Sequence, residues 1–207
     1  MPFKSPLIMQ AWYFASKHHK GQLYPGEDKL PYLTHIGAVV FELLPALEEK
    51  AHLDGTLALC CAILHDTVED TGVCADEIST LFGEATAAGV AALSKNKNLH
   101  GMEATRDSLY RIRQQPQEIW LVKLADRSAN LRTPPAHWSK DKCHSYAEEG
   151  QVILDALGEA SPLLALILEK RIRCWKDISE LPDASFEKLR RQTATQDIVA
   201  LLGHALS

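Results

Sequence analysis

Leu57-Ala58-Leu59-Cys60-Cys61-Ala62-Ile63-Leu64 runs straight into His65-Asp66-Thr67-Val68-Glu69-Asp70. The first eight residues are apolar without interruption and belong in a core. The next six carry four titratable side chains. Groups of that kind at the edge of a core segment are costly unless something pairs with them. Histidine beside aspartate offers one nitrogen and one oxygen ligand to a divalent metal. On a helix, Glu69 lies one turn beyond His65 and Asp70 one turn beyond Asp66. Groups that hold an ion would then share a surface with groups that handle protons near its water, the composition of a hydrolytic metal site.

Outward from this stretch nearly every segment reads as helix. Thr56 to Asp66, or a little beyond, is one, restarted at Asp54-Gly55 and broken at Gly72. Upstream, Ser5-Pro6 is a cap followed by proline, and Leu7, Ala11, Phe14 and Ala15 recur at helical spacing until Gly21. Residues 21–31 read as a polar loop, and Leu33 to Leu47 as a helix with Pro45 near its end. Downstream, helices are expected over Cys74 to Phe82, Glu84 to Ser94, Met102 to Gln115, Gln117 to Asn130, Ser139 to Leu157 and Leu163 to Trp175. A last one runs from about Phe186 to Ala205, with Leu189, Ile198, Leu201 and Leu202 on it. β-Branched runs are scarce and no hairpin dipeptide separates alternating strands. The fold class is all-α, with a main domain over residues 1–175 and a C-terminal helical extension over 176–207.

Composition narrows the function classes. The 207 residues are 46% hydrophobic and 24% charged, enough for a core. The net charge is −5, from 27 acidic and 22 basic residues, with no dense basic stripe. No nucleic acid is expected as a partner. Five cysteines without a Cys-x-x-Cys pair read as free thiols in a reducing compartment. No apolar run approaches the roughly 20 residues that span a bilayer. The expectation is a cytoplasmic protein with no membrane partner, free to form a homo-oligomer.

Two further pieces join the opening motif. His35 ends Pro31-Tyr32-Leu33-Thr34-His35, at the start of a helix. Asp126 lies in Lys123-Leu124-Ala125-Asp126-Arg127, and Asn130 follows it by one turn. His35, His65, Asp66 and Asp126 would give two nitrogens and two or more oxygens, a set that suits Mn²⁺ or Fe²⁺. Zn²⁺ is the third candidate, although no thiolate belongs to the set.

The order His…His-Asp…Asp in an all-helical chain resembles the HD superfamily of metal-dependent phosphohydrolases. His18-His19-Lys20-Gly21-Gln22, Pro31 to His35, Leu64 to Thr71 and Val122 to Arg132 are similar to the hydrolase domain of RelA/SpoT-type alarmone enzymes, over about residues 5–160. The stand-alone form of that domain is the small alarmone hydrolase. The resemblance implies an HD-domain bundle of about eight to ten helices. It implies Mn²⁺-dependent removal of pyrophosphate from the 3′ position of alarmone nucleotides, (p)ppGpp or (p)ppApp. His35, His65, Asp66 and Asp126 would hold the metal. Glu69 and Asp70 would orient or deprotonate the attacking water. Asn130 would touch the ribose or the ligand shell. Lys97, Lys142 and Tyr146 would contact the nucleotide, as would Trp138.

After Gln22, where that family carries arginine and lysine, this chain has Leu23 and Tyr24. Tyr24 can stack on a base but lacks the guanidinium fork. Base recognition is therefore expected to be looser or shifted towards adenine. Two other readings stand beside the alarmone hydrolase: a phosphohydrolase acting on another phosphorylated nucleotide or cofactor, and a non-catalytic helical module that senses a nucleotide. No synthetase half is expected.

Overall fold

The computed structural model describes residues 4–25, 29–135 and 137–192. They form a helical bundle: α1 (Ser5–His18), α2 (Leu33–Glu49), α3 (Gly55–Leu64), α4 (Thr67–Asp70), α5 (Ala75–Phe82), α6 (Glu84–Leu93), α7 (Gly101–Ile112), α8 (Gln117–Asn130), α9 (Lys140–Leu157), α10 (Pro162–Glu180) and α11 (Asp183–Gln192). A short 3₁₀ turn, Gly158–Ala160, links α9 to α10. The all-α class agrees with the sequence reading. Of the expected last helix, residues 183–192 are α11, and Phe186 packs into the core at 5% exposure. Ile198, Leu201, Leu202 and the rest of that helix lie outside the described residues, as does the side chain of Leu189.

The apolar octet forms the centre. In α3, Thr56 and every residue from Ala58 to Leu64 are buried, and α1, α2, α6 and α8 pack around it. Asp54 starts it by accepting from the Thr56 and Leu57 amides at 2.9 and 3.1 Å. The Asp54 amide in turn donates to Glu118 Oε1 at 2.7 Å, which ties the start of α3 to the start of α8. Burial pushes both neighbouring thiols up, that of Cys60 to about 11, so they remain protonated. Cys60, Cys61 and Cys74 are free thiols.

Two local readings differ in the structure. The helix expected to continue through Asp66 stops at Leu64 and resumes as α4 at Thr67. Thr67 turns its hydroxyl back to the Leu64 carbonyl at 2.6 Å and holds the break. The break turns His65 and Asp66 out of the helical ladder. The described residues of the polar loop after α1 also pair with one another. Gly21 turns the chain at φ +84°, Leu23 bridges Pro31, and the Tyr24 and Tyr32 amides donate to the Leu30 and Gln22 carbonyls.

The far end of α8 is fastened by α10. Arg171 Nη1 donates to the Ser128 carbonyl at 2.9 Å, and Trp175 Nε1 to the Leu131 carbonyl at 2.8 Å. Both carbonyls lie at the C-terminal end of α8, where the helix ladder runs out of amide donors. Arg171 Nη2 also meets Glu42 of α2 at 2.9 Å. One arginine thus fixes α8, α2 and α10 relative to one another. No helix among the described residues is long and apolar enough to cross a membrane.

Gly89 marks where α6 meets α3 and α8. A Cβ there would lie 2.6 Å from Ile119 Cδ1 and 2.8 Å from Cys61 Sγ, both in fully buried residues. Overpacking of this kind costs about 1–3 kcal/mol. Gly89→Ala should lower the melting temperature measurably; an unchanged melt would show that α6 does not pack this closely.

Candidate metal centre

Four side chains from three places converge. His35 comes from the first turn of α2, His65 and Asp66 from the break before α4, and Asp126 from the middle of α8. The Nε2 atoms of His35 and His65 are 3.3 Å apart. Asp66 Oδ2 lies 2.9 Å from His65 Nε2 and 3.6 Å from His35 Nε2. Asp126 Oδ1 lies 3.5 and 3.7 Å from His35 Nε2 and His65 Nε2. One ligand atom from each of His35, His65 and Asp126 falls within 4.8 Å of the others.

The donor set fits a divalent ion. His65 Nδ1 is 2.8 Å from the Ala62 carbonyl, which only accepts, so Nδ1 carries the proton and Nε2 presents its lone pair. Asp126 is held at both oxygens: Asn130 Nδ2 donates to Oδ1 at 2.7 Å and Lys123 Nζ to Oδ2 at 3.0 Å. Tyr32 donates its hydroxyl to Asp66 Oδ2 at 2.6 Å. His65, Asp66 and Asp126 are thus each held by a group outside the set, whereas His35 Nδ1 is buried without a partner among the described residues.

The electrostatics reflect this crowding. Burial opposes a charge on His35, but the carboxylates of Asp126 and Asp66 outweigh it and push the imidazole up to about 9. His65 is raised against its burial in the same way, chiefly by Asp66. Burial would lift both carboxylates; His65 and His35 pull Asp66 well below its usual range, and Lys123 and the imidazoles do so for Asp126.

Asn130 reaches Asp126 directly. Glu69 accepts the Lys95 amide on Oε2 at 2.8 Å, and Asp70 accepts from Gln22 Nε2 on Oδ2 at 2.9 Å. Tyr24 lies flat over His35, centroids 5.6 Å apart and planes 6° apart. Tyr146 sits under the Arg127 guanidinium at 4.0 Å and against Trp138 edge-on at 4.9 Å. Burial pushes its phenol up to about 12. Lys142 is exposed and places Nζ 5.2 Å from the Trp138 ring. Lys97 is exposed, whereas Lys95 is half-buried; burial and the neighbouring Lys123 and Arg127 lower its pKa.

Residues 11–163 match the family described as HD domain. The chain belongs to the HD domain family. An HD domain of this kind implies a divalent metal, and His35, His65 and Asp126 are the residues that could hold it, with Asp66 beside both imidazoles. Among relatives, the chain is similar to the guanosine-3′,5′-bis(diphosphate) 3′-pyrophosphohydrolase MESH1 of Xenopus tropicalis, 31% identical over 79% of this chain and 92% of that protein. It is 30% identical to the human MESH1 over 72% of this chain and 84% of that one. A solved structure described as a metazoan ortholog of SpoT that hydrolyzes ppGpp superposes with a TM-score of 0.72, at 25% identity, over 84% of this chain and 97% of that one.

Sequence reasoning does not single out Lys123, Tyr32 or Gln22 as supports. Lys123 carries a signal, since it precedes Asp126 by three residues on one helix face. Tyr32 and Gln22 reach Asp66 and Asp70 across 34 and 48 residues, which no local spacing foretells.

The histidine shift sets a pH window for the metal-free protein. A folded-state value raised from 6.5 to about 9 stabilises the fold fully below 6.5, and that contribution is lost as pH rises towards 9. The lowered carboxylates contribute above 3.8 and lose it as pH falls. The metal-free melting temperature should therefore fall between pH 6.5 and 9, while the metal-loaded protein resists that fall. His65→Ala should lose the bound ion, and His35→Ala should flatten this slope. A flat metal-free profile, or full metal content in His65→Ala, would remove these residues from the site.

Proposed function

We propose that this protein is a metal-dependent phosphohydrolase that removes the 3′ diphosphate of alarmone nucleotides as pyrophosphate. One observation carries the reading: the buried His35, His65 and Asp126 with Asp66 against both imidazoles, in a chain collinear with nearly all of the Xenopus tropicalis MESH1. The ion we take to be Mn²⁺, since two imidazoles and two carboxylates without a thiolate suit it. When bound, such an ion lowers the proton affinity of its water and screens the diphosphate charge.

The chain's own groups divide the remaining work. Water adds to the phosphorus next to the 3′ oxygen. The bond between them breaks, the 3′ oxygen regains a proton, and pyrophosphate leaves. Glu69 and Asp70 orient that water and accept its proton. One oxygen of each is held by the protein, at Lys95 and Gln22, so the other is the one to meet water. Asn130 keeps Asp126 in place and faces the ribose. Lys97 and Lys142 supply cations for the phosphates, and Tyr146 lines the nucleotide pocket. Tyr24 offers a ring to the base.

Incubation with guanosine and adenosine 3′-diphosphate substrates in Mn²⁺ should yield pyrophosphate and a nucleoside 5′-phosphorylated product. Orthophosphate as the product would point to another phosphohydrolase, and no turnover to a sensing module. Glu69→Gln and Asp70→Asn should retain the ion while at least one of them loses about 100-fold in rate. Unchanged rates in both would take the carboxylates out of the chemistry.

Base selection depends on Tyr24, which has no guanidinium fork to offer guanine. A lost polar recognition group costs about 10- to 100-fold in discrimination. Adenosine alarmones should be hydrolysed within about tenfold of guanosine ones, or faster. Tyr24→Arg should move the kcat/KM ratio towards guanosine. A strong guanosine preference in the unmodified protein would place recognition elsewhere, near Lys97, Lys142 and Tyr146.

A further inference from the structure

His19 and Gln22 touch none of the four ligands directly, yet a line of hydrogen bonds runs from one through the other to Asp70. His19 Nδ1 lies 2.7 Å from Gln22 Oε1, and Gln22 Nε2 lies 2.9 Å from Asp70 Oδ2. Chemistry gives this line a direction. A carboxylate only accepts, so Gln22 must turn its NH₂ to Asp70 and its carbonyl oxygen to His19. That oxygen only accepts as well, so His19 must carry its proton on Nδ1. His19 Nε2 is buried and meets no partner among the described residues, so nothing there favours the other tautomer.

Both residues are held in place. His19 is 3% exposed and stacks on Tyr32, centroids 4.9 Å apart and planes 25° apart. Tyr32 is itself fixed by its bond to Asp66. The Gln22 amide donates to the His19 carbonyl at 3.0 Å, and the Gln22 carbonyl accepts from the Tyr32 amide at 3.0 Å. The ordered turn after α1 therefore delivers a fixed amide to Asp70 from across the site.

We propose that His19 and Gln22 are positioning residues for Asp70: the imidazole sets the Gln22 amide, and the amide holds Oδ2 so that Oδ1 faces the attacking water. The inference rests on the alarmone-hydrolase reading for the identity of that water's target. Glu69 is held by a different group, the Lys95 amide, so the relay serves Asp70 alone. A carboxylate freed from such a clamp samples several rotamers and loses its preorganised geometry.

Three substitutions test it by kinetics. Gln22→Met removes the clamp. His19→Phe keeps a ring on Tyr32 but removes the donor. His19→Asn restores an N–H near the place of Nδ1. Gln22→Met and His19→Phe should each lower kcat about tenfold, with KM within about twofold and bound Mn²⁺ unchanged. The double variant should lose no more than either single one, because both cut the same line. His19→Asn should recover most of the rate. Losses that multiply in the double variant, unchanged kcat in Gln22→Met, or a His19→Asn no better than His19→Phe would overturn the relay. Gln22 is only half-buried, so its variant decides the matter if those at His19 do not fold. A second measurement needs no turnover. Ring-nitrogen NMR of the Zn²⁺-loaded protein should show His19 as the Nδ1–H tautomer, and the Nε2–H tautomer would overturn the proposal. If that tautomer is found and no alarmone yields pyrophosphate, the functional reading falls while the relay stands.

Discussion

Two imidazole nitrogens 3.3 Å apart, flanked by two carboxylates and shut away from solvent, are the constraint on which the rest of the structure depends. Buried polar groups are stable only when paired, and these four are paired mainly with one another. Each lies on a separate element or at a break in one. The helices must therefore dock to within about 0.5 Å for the set to form. An apolar core alone would tolerate looser packing. Here the apolar octet of α3 places His65 and Asp66, and everything else is arranged to meet them.

The supports form two groups on opposite sides of the site. On one side α10 finishes α8: Arg171 and Trp175 take the carbonyls of Ser128 and Leu131, just past Asp126 and Asn130. Arg171 and Glu42 pass that restraint to α2, which carries His35. On the other side the turn between α1 and α2 supplies Tyr32 to Asp66, Gln22 to Asp70 and Tyr24 to the face of His35. The same short turn thus touches a proposed ligand, the carboxylate proposed to handle the proton and the expected base platform.

Much of this architecture is legible in the amino-acid sequence. The apolar octet and the scarcity of strand patterns announce an all-α core. The residue types His35, His65, Asp66 and Asp126 announce a metal by their chemistry, and the fold brings them together. The break after Leu64 is not legible, because Thr67 bonds back to the Leu64 carbonyl where helical periodicity continues through. Nor is the ordered turn, where Pro25-Gly26 reads as loop and the Leu23–Pro31 bridge depends on pairing across it. The supports escape for a related reason. Lys123 lies within reach of a spacing argument, whereas Gln22, Tyr32 and Arg171 act over tens of residues, and only the packed fold brings such partners together.

The central claim is that His35, His65, Asp66 and Asp126 together hold one catalytic divalent ion. Anomalous diffraction from crystals of the active, Mn²⁺-loaded protein tests it most directly. One strong manganese peak per chain, enclosed by the two Nε2 atoms and the carboxylates of Asp66 and Asp126, is the predicted result. An active protein whose manganese peak is held by other residues, or that shows no peak between these four, would contradict the account.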